Sequence, residues 1–150
     1  MNGTGVPWPA YAYVPGQNAR HPEGVFDPIR NSVVPGLSEA DLASTEAFRI
    51  GLLYLDNGYF WEAHEVLEPV WMVCATDSAT RQMVQGLIQL ANARLKLRMN
   101  RPRAVVRLCQ IARGHFEAAE TLGGRTVLGV EVLLRLEQLG NLAEEAKFAL

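Results

Sequence analysis

The stretch GYFWEAHEVLEPVW, Gly58–Trp71, crowds three acids, one histidine and four aromatics into fourteen residues. Asn57-Gly58 just ahead of it is a helix stop, and apolar residues then recur at helical spacing. The segment therefore reads as one helix from about Tyr59 to Val73, with Pro69 expected to kink it or end its regular part. At about 100° per residue, Phe60, Leu67 and Trp71 fall on one stripe, and Ala63 and Val70 lie to one side. His64 sits on the other shoulder, roughly 20° beyond Trp71, so it is expected to look inward and to be buried. Glu68 lies one turn further, at the boundary. Glu62 and Glu65 point away, toward water or a neighbouring element.

From Leu37 onward the remaining sequence reads as helical too. Ser38 is a candidate N-cap with Asp41 in the first turn, and apolar residues recur from Leu42 to Leu55 before Asn57-Gly58. Ala75–Ser78 is a turn and cap, followed by a helix over about Ala79–Met99. Asn100-Arg101-Pro102 ends that helix and Pro102 opens another, to about Thr121. Gly123-Gly124 breaks the chain, and one or two short helices follow, through Leu139 and from Leu142 onward. No window alternates with period two. The class is all-α, a compact antiparallel bundle of five or six helices.

Residues 1–36 differ from this body, 37–150. Six of the eight prolines lie before residue 36, which excludes a long helix there. The segment also carries Trp8, Tyr11, Tyr13, Val14, Val25 and Phe26, apolar content that disordered tails lack. It reads as an extended arm packed on the body through Trp8, Tyr11 and Tyr13.

At 150 residues the chain is one domain's length, and 49% hydrophobic with 20% charged residues is an ordinary globular composition. No apolar run reaches the roughly 18 residues of a membrane span, and the start lacks a basic and then apolar leader. Cys74 and Cys109 are too few for a disulfide framework and lack metal-site spacing, so they read as reduced core thiols in a cytoplasmic protein.

An inward histidine must be satisfied, because an unpaired buried polar group costs about 1–3 kcal/mol. One reading makes His64-Glu65-x-x-Glu68 a variant of the H-E-x-x-H zinc helix. His64 and Glu68 would then ligate a divalent metal ion and Glu65 would act as general base, in a metal-dependent or acid–base hydrolase. The other reading is structural, with Glu68 or a backbone carbonyl holding His64, and it needs nothing further. In the next helix, Gln85, Gln89, Asn92 and Lys96 form an uncharged-to-basic polar stripe that can face a pocket and hydrogen-bond a ligand or His64. Gly86 beside it points to close helix packing. The candidate ligand contacts are thus Gln85, Gln89, Asn92 and Glu62.

The segments LDNGYFWEAHEVLEPVW and QGLIQLANARLK together resemble a family of small all-helical proteins, domain of unknown function 309. Its pattern is a G-x-[YF]-[FW]-E-A-H-E-x-L-E-x-x-W helix followed by a G-L-I-Q helix. Gly58, Phe60, Trp61, Glu62, Ala63, His64, Glu65, Leu67, Glu68 and Trp71 match the first, and Gly86, Leu87, Ile88 and Gln89 the second. YAYVPG and RHPEG (Arg20–Gly24) in the arm resemble an N-terminal extension of a bacterial branch, so the resemblance covers most of residues 8–116. It implies a compact helical bundle and no established activity.

Seven basic residues and no acid lie between Arg94 and Arg113, although the net charge is −2. An RNA- or phosphate-binding module is one reading of that surface. Without interleaved aromatics it is better read as a solvated helix face pairing with acidic neighbours. His115 reads as a partly buried packing residue. No repeat of about 34 residues recurs, and no phosphate loop or nucleophile motif is present. The best reading is a non-catalytic structural or interaction domain with a His/Glu polar cluster. A small ligand, a protein partner or a second copy remain open as partners; nucleic acid and membrane are disfavoured.

Overall fold

A computed structural model describes residues 5–150 of the chain. The described residues are mostly helical. The elements are α1 (Asp27–Arg30), α2 (Glu39–Ala43), α3 (Glu46–Asp56), α4 (Phe60–Val73), α5 (Ala79–Arg98), α6 (Pro102–Gly123), β1 (Thr126–Val127), β2 (Val130–Glu131) and α7 (Val132–Phe148). Each long helix packs on the next in sequence, α3 on α4, α4 on α5, α5 on α6 and α6 on α7. Five helices have eleven residues or more, and α1 and α2 are short.

Local chemistry sets most boundaries. Ser38 and Ser78 accept the backbone N–H of Asp41 and Arg81, capping α2 and α5. The helix expected from Ser38 to Asn57 is split, because Thr45 adopts an extended conformation and its Oγ1 accepts the Phe48 N–H, starting α3 anew. After Gly124, where one or two short helices were expected, a single helix, α7, runs through both stretches and is preceded by an antiparallel pair of two-residue strands. Leu128 and Gly129 both have positive φ, 55° and 73°, which is the backbone of a tight two-residue hairpin. Strands of two residues are too short to display alternation, which is why the sequence pattern conceals them.

The core runs through every long helix, with Phe48, Tyr54, Leu67, Met83, Leu90 and Phe116 fully buried. Gly86 fits as expected: a Cβ there would sit 2.6 Å from Cε1 of Phe116, so only glycine lets α6 approach α5 this closely. Arg135, 5% exposed, ties α7 to α3 by bonds of 2.8 and 3.2 Å to both oxygens of Asp56. Ahead of α2, Val6, Val14, Phe26 and Ile29 are buried. Trp8 lies against Tyr54 and Tyr59 at 5.9 and 5.6 Å between ring centres.

Candidate functional site

Helix α4 carries the polar motif, and its buried face is Glu62, Ala63, Val66, Leu67 and Val70. At about 100° per residue that face is centred roughly 90° from Phe60, on the side of Ala63 and Val70. Phe60 and Trp71, which dominate the sequence pattern by size, sit only at its edge and are half-buried. Two expectations change as a result. His64 is not buried, its side chain being 29% exposed, whereas Glu62 is 0% exposed.

A buried carboxylate needs donors, and residues preceding α2 supply them. Oε2 of Glu62 accepts the Tyr13 backbone N–H at 2.8 Å and lies 2.6 Å from Nε2 of His21. The His21 side chain is 7% exposed. It stacks on Tyr11 at 4.7 Å and meets Phe26 and Trp61 edge-on or tilted at 5.3 and 6.0 Å. Tyr13 contacts Trp61 edge-on at 5.1 Å. Nearby, the Tyr54 hydroxyl donates to the Pro7 carbonyl at 2.5 Å. Burial first, and then the charges of Glu62 and Tyr59, push that phenol up to about 12.

The remaining motif residues form a second cluster, organised by Pro69. Proline has no N–H to donate to the carbonyl four residues earlier, that of Glu65. The helix nevertheless continues to Val73. Nη1 of Arg30, from α1, donates to that freed carbonyl. The same guanidinium lies 3.4 Å from Oε1 of Glu68 and 3.8 Å from Oε2 of Glu65. His64 stands 3.7 Å from Glu68 and 3.9 Å from Glu65, beyond hydrogen-bond range. Among the described residues, no three His, Cys, Asp or Glu side chains converge to hold a metal ion.

The amide stripe of α5 does not reach His64. Asn92 donates to Gln89 at 3.4 Å, while Gln85 lines a separate cavity with Trp71, Arg81 and His115. His115 is half-buried, as expected, and its Nδ1 lies 2.8 Å from Oε1 of Gln82. Burial pushes its pKa below the usual imidazole value. Cys74 and Cys109 are buried free thiols, and burial raises both.

In the basic segment, Arg94 and Arg98 fold back onto the body. They donate to the carbonyls of Leu55 and Gly58 at 3.2 and 2.5 Å and flank the Phe60 ring. Arg101, Arg103, Arg107 and Arg113 are exposed, and among the described residues none forms the expected ion pair with an acid. Staying in water costs these side chains little, since an exposed pair gains at most about 1 kcal/mol.

Residues 48–108 match the model of a family described as Domain of unknown function (DUF309). Over those residues, somewhat less than half of the chain, the sequence is similar to that family. No curated protein and no solved structure matches the chain significantly. The DUF309 stretch contains Glu62, His64, Glu65, Glu68 and the amide stripe. His21, Tyr13 and Arg30, which engage the first, third and fourth of those, lie outside it. Sequence reasoning assigned no role to His21 or Arg30. The RHPEG motif flagged the first, and the carbonyl left by Pro69 called for a donor such as the second. Among the described residues no helix is long and apolar enough to cross a membrane.

Proposed function

We propose that this is a non-catalytic helical domain of the cytoplasm whose motif helix is a docking strip for its own N-terminal arm. On this reading residues 1–36 are the arm and 37–150 the bundle. Glu62 carries the argument. It is fully buried, and the bonds at its Oε2 go to Tyr13 and His21, so the motif's central carboxylate serves internal packing. Glu65 and Glu68 are likewise engaged, balancing the Arg30 guanidinium that caps the Pro69 gap. A metal-dependent hydrolase built on His64, Glu65 and Glu68 would need a third ligand beside the pair His64 and Glu68, and those acids would have to release Arg30.

The test is elemental analysis of the purified full-length protein, alone and after incubation with Zn²⁺ or Mn²⁺ and desalting. Replacing His64 by Ala with Glu65 and Glu68 by Gln should leave metal content unchanged and substoichiometric. A stoichiometric ion that disappears with those three substitutions overturns the proposal in favour of a metal site.

A further inference from the structure

A second polar concavity lies away from the arm, where the end of α4, the turn before α5 and the middle of α6 meet. It has a volume of about 260 Å³, just below the usual range for drug-sized ligands, and draws its lining from α4, α5, α6 and the turn between α4 and α5. Its cation is Arg81, in the first turn of α5. Its guanidinium carbon lies over the Trp71 ring, 4.1 Å from the ring centre, and its Nη1 donates to the Cys74 carbonyl at 3.1 Å. Its orientation is therefore held while most of its five N–H donors have no hydrogen-bond partner among the described residues. Among the described residues it pairs with no acid, and the first turn of α5 contains none.

The same cavity has an anion at its exposed mouth. Asp77 forms no ion pair among the described residues, although it lines the cavity with Arg81. Its φ of 61° fixes it in the left-handed region, which aspartate tolerates better than most residues. Gln85 faces the cavity, and Gln82 is oriented by its contact with His115. One fixed cation, one separate anion and two amides suit a ligand that carries both charges. A dianion such as phosphate would meet attraction from Arg81 and repulsion from Asp77.

We propose that this cavity binds a small zwitterionic α-amino acid, with its carboxylate on Arg81, its ammonium toward Asp77 and its side chain against Gln82 and Gln85. Planar guanidinium–carboxylate pairing supplies the main attraction, and the weaker, solvated Asp77 contact supplies preference for the zwitterion.

The experiment follows the indole N–H of Trp71 by NMR in the ¹⁵N-labelled full-length protein, titrated with three probes of matched chain length. These are norvaline (both charges), pentanoate (carboxylate only) and 2-aminopentane (ammonium only). Norvaline should shift the signal saturably below about 10 mM, with pentanoate roughly tenfold weaker and the amine inactive, a tenfold step being one modest charged contact. Asp77→Asn, at an exposed position, should erase the preference for norvaline over pentanoate. Arg81→Lys and Arg81→Gln, each checked for an unchanged far-UV spectrum, should lose the response to both acids. Should the Arg81 variants unfold, the Asp77→Asn result decides. No saturable shift with norvaline, a shift that survives in folded Arg81→Gln, or a preference unaltered in Asp77→Asn overturns the proposal.

Discussion

Replacing His21 by Ala should be among the most damaging single changes outside the long helices. Glu62 is 0% exposed, and Oε2 relies on two donors, His21 at 2.6 Å and the Tyr13 N–H at 2.8 Å; its Oε1 has no partner. Deleting the imidazole strands a buried carboxylate with one donor, a change that costs about 3–5 kcal/mol in comparable buried pairs. Loss of the ring contacts with Tyr11, Phe26 and Trp61 adds ~0.5–1.5 kcal/mol. Glu62→Leu leaves both donors, His21 and the Tyr13 N–H, unpaired and should cost a similar amount, ~1–3 kcal/mol for each. The combination His21→Phe with Glu62→Leu removes both polar partners and refills the space, leaving chiefly the Tyr13 N–H unsatisfied. It should be more stable than His21→Ala by about 2 kcal/mol or more. Urea denaturation of the natural protein and the three variants compares these costs, and limited proteolysis within residues 5–36 reports detachment separately. A cost below about 1 kcal/mol for His21→Ala, with proteolysis unchanged, would refute the proposal that the His21–Glu62 pair holds residues 5–36 on the motif helix.

The Arg30 guanidinium should matter because Pro69 is present: Arg30→Leu is expected to cost ~1.5–3 kcal/mol in the natural chain and markedly less beside Pro69→Ala, whose N–H can serve the Glu65 carbonyl. Equal costs in the two backgrounds, measured by urea denaturation, would show that the carbonyl contact is unimportant. Gly86→Ala should destabilise by ~1–3 kcal/mol despite alanine's better helix propensity, since its Cβ would stand 2.6 Å from Phe116; Phe116→Leu in the same chain should recover part of the loss. Tyr54 ionises at about 12 when folded against 10.0 when free, so its contribution persists below pH 10 and fades as pH rises to about 12, by ~2–3 kcal/mol. Thermal melts across that range should show Tyr54→Phe losing less than the natural protein does. His115 has a lowered folded pKa, so the unfolded chain takes up protons first as pH falls below 6.5 and stability should drop there, an effect absent from melts of His115→Gln.

What the sequence settled by itself was local. Ser38, Asn57-Gly58, Ser78 and Pro102 mark helix ends because caps and backbone restrictions act within a few residues. Gly86 announced a close approach for the same kind of reason, and the motif residues from Gly58 to Trp71 carry the resemblance to the family whose model matches residues 48–108. The side of α4 that is buried was decided elsewhere. Bulk placed the apolar stripe on Phe60 and Trp71, yet the body packs on Ala63, Val66 and Val70, so His64 turned outward and Glu62 inward. Glu62 is tolerated there because His21 and Tyr13 reach it from 41 and 49 residues away, and the Glu65 carbonyl is met by Arg30 from 35 residues away. Helical periodicity ranks positions on one helix by their own polarity. A partner that makes a buried charge affordable exists only once distant segments of the chain have been brought together.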